Sequence, residues 1–473
     1  MAERIALYGG SFNPPGIHHR KIVETLSRRF DKVLVVPCGP RPDKPTTSIV
    51  PPVYRAALAD LTFGGLPRVL LDLSDLEQAT FTRSHALETR YSSLGEVWHV
   101  VGVDIIKGGA KGESEIHRIW EQGQRLWNEG RFAVLTRPGH RFDPSDMPPN
   151  SVAIDVQVPG SSTEIRELIQ RDEPVDHLLP PRSLAYIQRY GLYRAPIPAS
   201  WAKSSLSGQP YELQTDKRNP KAVLWAEGFS ESPHPQFITV IGGDGSMLRT
   251  IREHWRRRLP FYGLNAGHLG FLMNSAENAM GKEFPPQDVI VRQLPMLYLE
   301  MVDTQGRLTT AYGFNDAWVE RDTSQSAWLS VAINGTTRLK KLVSDGALVS
   351  TAAGSTAYAR AMGATPLLVD TPAWLLVGSN VMEPIDWKSA LLSNDSFLEI
   401  KSLDPVNRPV RAYVDGHDHG IVTTLRARIS RAAAAELVFD SSHDVAEKIA
   451  DLQFRNTALS ANEQHPVSGS TVD

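Results

Sequence analysis

Two glycine turns carry the residues best placed to do chemistry. The first, GGSFNPPGIHH over residues 9–19, follows the apolar run Arg4–Tyr8. Gly9 and Gly10 let the backbone approach a ligand closely, and the helix that opens after them turns free amides toward an anion. That is a phosphate-binding arrangement. The second turn, VIGGDGSML over residues 240–248, places Asp244 between Gly243 and Gly245 at the end of another apolar run. Its amides can receive phosphate while the Asp244 carboxylate projects into the site.

The elements that must position these turns follow from periodicity. RIALYGG, KVLVVPCG, EVWHVVGVD and RFAVLTRPG are short apolar runs closed by glycine or proline, with helix-like segments such as His19–Phe30 and Glu115–Glu129 between them. Strands alternating with helices predict a parallel α/β sheet. From Ala195 to Lys221 the chain is rich in proline, serine and charge and lacks a sustained period, so 195–221 reads as a linker. FITVIGGDG and LPFYGLNAGHLGFL return to α/β logic. From about Asp288 to Asp440 short strand-like runs predict a mainly β lobe, and 456–473 reads as a frayed tail. The expected domains are 1–194, then 222–455 with an α/β lobe over 222–287 and a β-rich lobe over 288–440.

Composition sets the bounds. At 473 residues the chain is too long for one core. A net charge of −3 gives no basic field for nucleic acid or an anionic membrane, and no apolar segment approaches the roughly 20 residues of a membrane helix. The single cysteine, Cys38, excludes an intrachain disulfide framework and suits a reducing compartment. A cytoplasmic protein is expected.

The opening turn resembles that of bacterial nicotinate or nicotinamide mononucleotide adenylyltransferases, which reads GG[ST]F[DN]PxHxGH. Gly9, Gly10, Ser11, Phe12, Asn13, Pro14 and His19 match, while Gly16 stands where the first histidine sits and His18 where glycine does. Further segments agree in order. GSSTEIREL, residues 160–168, resembles the SSTxIR phosphate motif, in which Ser161, Ser162 and Thr163 would cap a helix and Arg166 would grip the triphosphate. VVGVD resembles the GxD strand end, giving Gly102 and Asp104; LTRPG resembles the RPG turn, and LLPPRSLAYIQRYGLY the closing helix. Lys44 and Arg55 fall at the family's basic positions. Thr82, in TFT, would line the pyridine pocket. Trp120 would stack on the pyridine or sit in the core. The resemblance implies a Rossmann-like nucleotidyltransferase domain. His18, next to the retained His19, could present an imidazole from a slightly different turn, so that both histidines present imidazoles, or it is a solvent-exposed residue at the helix start.

The second half resembles the NAD kinase family. GGDG is accompanied by GLNAGHLGFL (GxNxGxLGFL), FNDAWVER (the NE or ND motif) and DGALVSTAAGSTAY (DGxxxxTPTGSTAY), with Ala352 and Ala353 replacing Pro and Thr. The resemblance implies that Asp244 is the base or metal-orienting carboxylate at the ribose 2′-hydroxyl. It implies that Asn315 and Asp316 bond adenine and ribose, and that Asp345, Ser355, Thr356, Ala357 and Tyr358 line the dinucleotide pocket. Asp415 would lie near the diphosphate or nicotinamide ribose, or simply turn the hairpin VDGHDHG. REHWRRR, Arg252–Arg258, reads as a solvated helix face.

Together these readings predict a bifunctional enzyme that adenylylates nicotinamide or nicotinate mononucleotide with ATP and phosphorylates NAD to NADP. Mg²⁺ would arrive on nucleotide phosphates, with no metal cluster of protein ligands. The second reading is an NAD kinase with a non-catalytic, nucleotide-sensing first domain. Small-molecule partners only, and a homo-oligomer built through the kinase domain, are expected.

Overall fold

The computed structural model describes residues 2–136, 143–156, 158–194, 200–276, 284–443 and 446–450. The RPG turn, Arg137–Gly139, and the tail 456–473 lie outside them. The chain divides into two compact units.

The first unit is built on six strands: β1 (Arg4–Gly10), β2 (Lys32–Pro37), β3 (Val69–Leu71), β4 (Glu96–Gly102), β5 (Arg131–Thr136) and β6 (Ser151–Asp155). They are all parallel and ordered β3-β2-β1-β4-β5-β6. Strand order therefore reverses between β1 and β4, whose carboxyl ends are Gly9–Gly10 and Gly102. Open parallel sheets bind ligands at such a reversal, because the connections leave in opposite directions and open a crevice. Burial on both faces explains the unbroken apolar run of β1. Ile5 and Leu7 pack in one cluster, and Ala6 and Tyr8 in another on the opposite face.

Helix α1 (Ile17–Ser27) opens at Gly16 and α2 (Pro52–Phe63) opens with proline at its first turn, where the missing N–H costs nothing. Helices α3 (Ser162–Gln170) and α4 (Pro181–Tyr190) complete this layer. The unit also takes in two short later segments, His254–Leu259 and Ser430–Ala434. Within it, Arg258 donates to Asp60 at 2.8 Å with both side chains almost wholly buried, and Glu77 accepts from Ser430 Oγ and the Ala432 amide. The stretch Arg252–Arg258 is thus not a solvated face at its end: Arg258 needs burial to reach its carboxylate.

The expected linker is structured. Residues 195–199 lie outside the description, but β7 (Trp201–Ser204) and β8 (Tyr211–Thr215) are strands, and the boundary between units falls at Lys203. β8 escaped the sequence reading because Pro210 and the charged run after Thr215 hide a five-residue parallel strand.

In the second unit β8, β9 (Phe237–Gly242) and β10 (Phe261–Asn265) are parallel, with helix α5 (Pro220–Ala226) before β9 and α6 (Asp244–His254) after it. Beyond them the chain becomes antiparallel. Asp316–Arg321 pairs with Gly346–Ser350 on one side and Val410–Val414 on the other. Alternate residues such as Leu297, Leu299 and Met301 enter a core with Val319, Leu329, Leu376 and fully buried Trp374. The fold is α/β, a Rossmann-like unit followed by a small α/β lobe and a β-rich lobe.

Candidate active sites

In the first unit a cavity of about 780 Å³ opens at the β1/β4 reversal. Gly9, Gly10, Ser11, Phe12, His19, Lys44, Thr82, Gly102, Asp104 and Trp120 all line it. Glycine is required at one of these positions. A Cβ on Gly10 would stand 2.9 Å from the buried Phe12 ring, whereas one on Gly102 would meet Asp104 Oδ1 at 2.3 Å, the end of an exposed side chain that can turn away. The Phe12 ring packs edge-on against His19, Tyr8 and Phe63. His19 Nδ1 accepts from the Gly16 amide at 3.2 Å, so the neutral ring carries its proton on Nε2 as a donor.

His18 is placed otherwise. It is 3% exposed and does not line the cavity; its ring lies beside that of His19, centroids 3.9 Å apart, and fills the space next to Gly16. His18 turns its ring into the packing beside Gly16 and Gly160, so His19 reaches the cavity and His18 does not. The expected pair of presented imidazoles reduces to His19.

The SSTEIR segment does not line the cavity either; it braces the turn. Ser161 caps α3 by accepting from the Glu164 amide, Ser162 Oγ donates to the Pro14 carbonyl, and Arg166 donates to the Asn13 carbonyl at 2.6 Å and to Thr163 Oγ1 at 3.1 Å. Arg55, buried, donates to the carbonyls of Ser11, Cys38 and Thr47 and ties three bordering segments together. Burial pulls its pKa below the ordinary value. Thr82 gives its amide and hydroxyl to Asp75, whose carboxyl is pushed up by burial.

Several lining residues escaped the sequence reading. Arg41 and Arg83 set their guanidinium groups over Phe81 at 4.7 and 5.0 Å and are paired with Asp43 and Glu121, so with Lys44 and three further carboxylates they give the cavity wall charges of both signs. The basic residues of RPDK and TFTR were the available signal. Trp120 packs on the cluster of Val101, Ile116 and Trp127 and also lines the cavity.

In the second unit Asp244 begins α6, and its carboxylate is held from outside the helix. Oδ2 accepts from the Phe271 amide at 3.1 Å and Oδ1 from the Leu272 amide at 2.8 Å. These amides end GLNAGHLGFL, so the two motifs meet. Gly243 and Gly267 approach so closely that a Cβ on Gly267 would stand 3.3 Å from the Gly243 Cα.

A second constellation is knitted around Asn315 and Asp316. The Asp415 carboxylate accepts three amides, from Phe314 at 2.7 Å, Asn315 at 2.8 Å and Asp316 at 3.2 Å. Asp415 and Gly416 both have positive φ and join Val414 to His417, so VDG is also the hairpin turn. The TAAGST loop lies on this turn: Thr351 Oγ1 donates to the Phe314 carbonyl, and a Cβ on Gly354 would stand 2.2 Å from the Asn315 carbonyl. Burial and the nearby Asp415 charge push Asp316 up to about 7. Burial also raises Asp415, opposed by its three amides and by Arg252.

The other expected pocket residues divide. Ser355 is buried, donating to the Ala352 carbonyl and accepting from the Leu367 amide, so its hydroxyl shapes the loop. Thr356 is half-buried, while Ala357 and Tyr358 are exposed, the Tyr358 ring packing on Trp318. Asp345 is engaged by Arg321 at 2.6 Å and Asn380 at 2.7 Å, which hold its carboxyl below the usual range. Gly245 is open, with no atom within 4 Å of a built Cβ.

Comparison with known proteins agrees with this division. The cytidylyltransferase-like family profile matches residues 7–168, and that of the ATP-NAD kinase N-terminal domain matches 208–284. An NAD kinase of Rickettsia rickettsii (strain Sheila Smith) is 32% identical over 219 residues, 46% of this chain and 86% of the relative. That of Rickettsia canadensis (strain McKiel) is 31% identical over 226 residues, covering 48% and 88%. A solved NAD kinase from Archaeoglobus fulgidus, in complex with ATP, aligns with 53% of this chain and 98% of its own at 17% identity and a TM-score of 0.40. Fold and sites define a two-unit α/β protein whose first unit is a cytidylyltransferase-like domain. The chain belongs to the NAD kinase family.

Proposed function

We propose that the second unit phosphorylates NAD at the 2′-hydroxyl of its adenosine ribose. The observation that carries this is Asp244, held by two amides at a helix start in a chain of the NAD kinase family. The 2′-oxygen attacks the terminal phosphorus of the donor, the bridging P–O bond breaks, and the shortened donor leaves. Asp244 takes the hydroxyl proton. Two fixed N–H donors keep the carboxylate aimed.

We propose further that the first unit transfers the adenylyl group of MgATP to nicotinamide or nicotinate mononucleotide. The 5′-phosphate oxygen attacks the α-phosphorus and pyrophosphate leaves. This needs positioning and positive charge rather than a protein nucleophile. Support comes from the cavity at the strand reversal, its glycine floor, and His19 and Lys44 in its walls beside the ion-paired Arg41 and Arg83. Nicotinamide mononucleotide is the more economical substrate, since its product is the kinase substrate without an amidation step.

A second reading has its own observation: His18 is withdrawn from the cavity, leaving His19 as the imidazole from this turn. On that reading the first unit binds nucleotides without turning them over. Supplying the full chain with either mononucleotide, MgATP and no added NAD decides between them. NAD followed by NADP from nicotinamide mononucleotide establishes both activities, and the nicotinate dinucleotide from nicotinate mononucleotide establishes the first. No dinucleotide from either, with NADP formed only when NAD is added, leaves the sensor.

A further inference from the structure

The carboxylate of Asp244 is held by one short turn, Gly270–Met273, in which the Met273 amide donates back to the Gly270 carbonyl at 3.2 Å. Gly270 takes the positive φ this turn needs. The turn is itself gripped from its carbonyl side. Lys448 Nζ donates to the Gly270 carbonyl at 2.7 Å and to the Met273 carbonyl at 2.8 Å, bridging both ends of the four residues whose central amides bind Asp244. Next to it, Ile449 packs on Phe271 with both side chains buried. The helical segment 446–450, almost 180 residues away in sequence, therefore fastens the turn by charge and by packing.

We propose that Lys448 is a positioning residue for Asp244: by clamping the Gly270–Met273 turn it fixes the two amides that aim the carboxylate. The inference rests on the reading of Asp244 as the kinase base. An ammonium suits the task because it offers several donors from one point, and two converging carbonyls are what it bridges. Burial lowers the Lys448 pKa, and the Asp244 charge opposes that shift, which places the ammonium within electrostatic reach of the carboxylate it serves. Without the clamp the turn loses its fixed depth, and displacement of a reacting group by about 1 Å costs roughly 100-fold in rate.

The test uses the full chain and NADP formation from added NAD. Lys448→Met should lower kcat about 10- to 100-fold while KM for NAD stays within about twofold, because ground-state binding does not use Asp244. Lys448→Arg, which still donates to two carbonyls, should restore most of kcat. In an Asp244→Asn background Lys448→Met should add no further loss, since the two act as one unit. Should Lys448→Met fail to fold, Lys448→Gln carries the same comparison. Parental kcat in the folded Lys448 variant, or a loss that persists unchanged beside Asp244→Asn, overturns the proposal alone. Parental activity in Asp244→Asn overturns the reading of the base, and this inference with it.

Discussion

At the scale of single residues, function turns on which polar groups keep an unspent face. Asp244 has two amide partners but is half-buried, so it can still meet a hydroxyl. Asp244→Asn keeps the shape and removes the charge that accepts the proton. Steady-state assay should show NADP formation reduced by at least about 10²-fold with little change in KM for NAD. Gly16 poses a packing question instead. Its φ of −107° suits any residue, yet a Cβ there would stand 2.8 Å from His18 Nδ1 and 2.9 Å from Ile165 Cδ1. Gly16→Ala should therefore destabilise the first unit by about 1–3 kcal/mol, the usual cost of overpacking. Adding His18→Ala should return part of it in denaturant titration, the Ile165 contact remaining, and no recovery would show that the His18 ring is not what fills the space.

At the scale of elements, the Asn315–Asp316 turn is a scaffold assembled from three separate stretches of chain. Asp415 satisfies its amides and Thr351 its carbonyls, so the cost of two neighbouring buried carboxyls falls on Asp316. Its pKa near 7 means that the folded protein keeps a proton which the unfolded chain releases near pH 4. Protein with the carboxyl protonated is at full stability below about pH 4, and that contribution is lost as pH rises toward 7. Asp316→Asn cannot ionise. Relative to the parent, it should gain on the order of 1–4 kcal/mol between pH 4.5 and pH 8. Thermal unfolding at the two pH values checks this, and an offset independent of pH would mean that Asp316 does not titrate in the window.

At the scale of the whole molecule, the first unit is not a continuous stretch. Asp60 and Arg258 form a buried pair inside it, although 198 residues separate them. Removing one partner, as in Asp60→Ala, leaves an uncompensated buried charge and should cost about 3–5 kcal/mol, whereas replacing both by apolar residues should recover most of that in denaturant titration. An isolated 1–194 fragment lacks Arg258, so turnover belongs with the full chain. There the two proposed activities give a joint prediction. Supplied with mononucleotide and MgATP, Asp244→Asn should accumulate the dinucleotide and stop, a pattern that chromatography of the products resolves. Continued NADP formation at the parental rate would show that the GGDG turn is structural.

The sequence by itself determined the local signals: glycine turns after apolar runs, the alternation of strands with helices, the β-rich region beyond 288, and motif sets resembling those of two enzyme families. These are legible because strand periodicity, caps and tight turns are encoded within a few residues. Gly10, Gly102, His19 and Asp244 were found this way. Only the tertiary structure decided which polar groups are spent on architecture. Asp345 went to Arg321 and Asn380, Asp415 to three amides about 100 residues away, Arg258 to Asp60 and Lys448 to the Gly270–Met273 turn. It also withdrew His18 and made strands of the apparent linker. The reason is physical: a side chain's residue type fixes what it can bond, but the partner that satisfies it in a buried place comes from the packing of distant segments, and no local period records that.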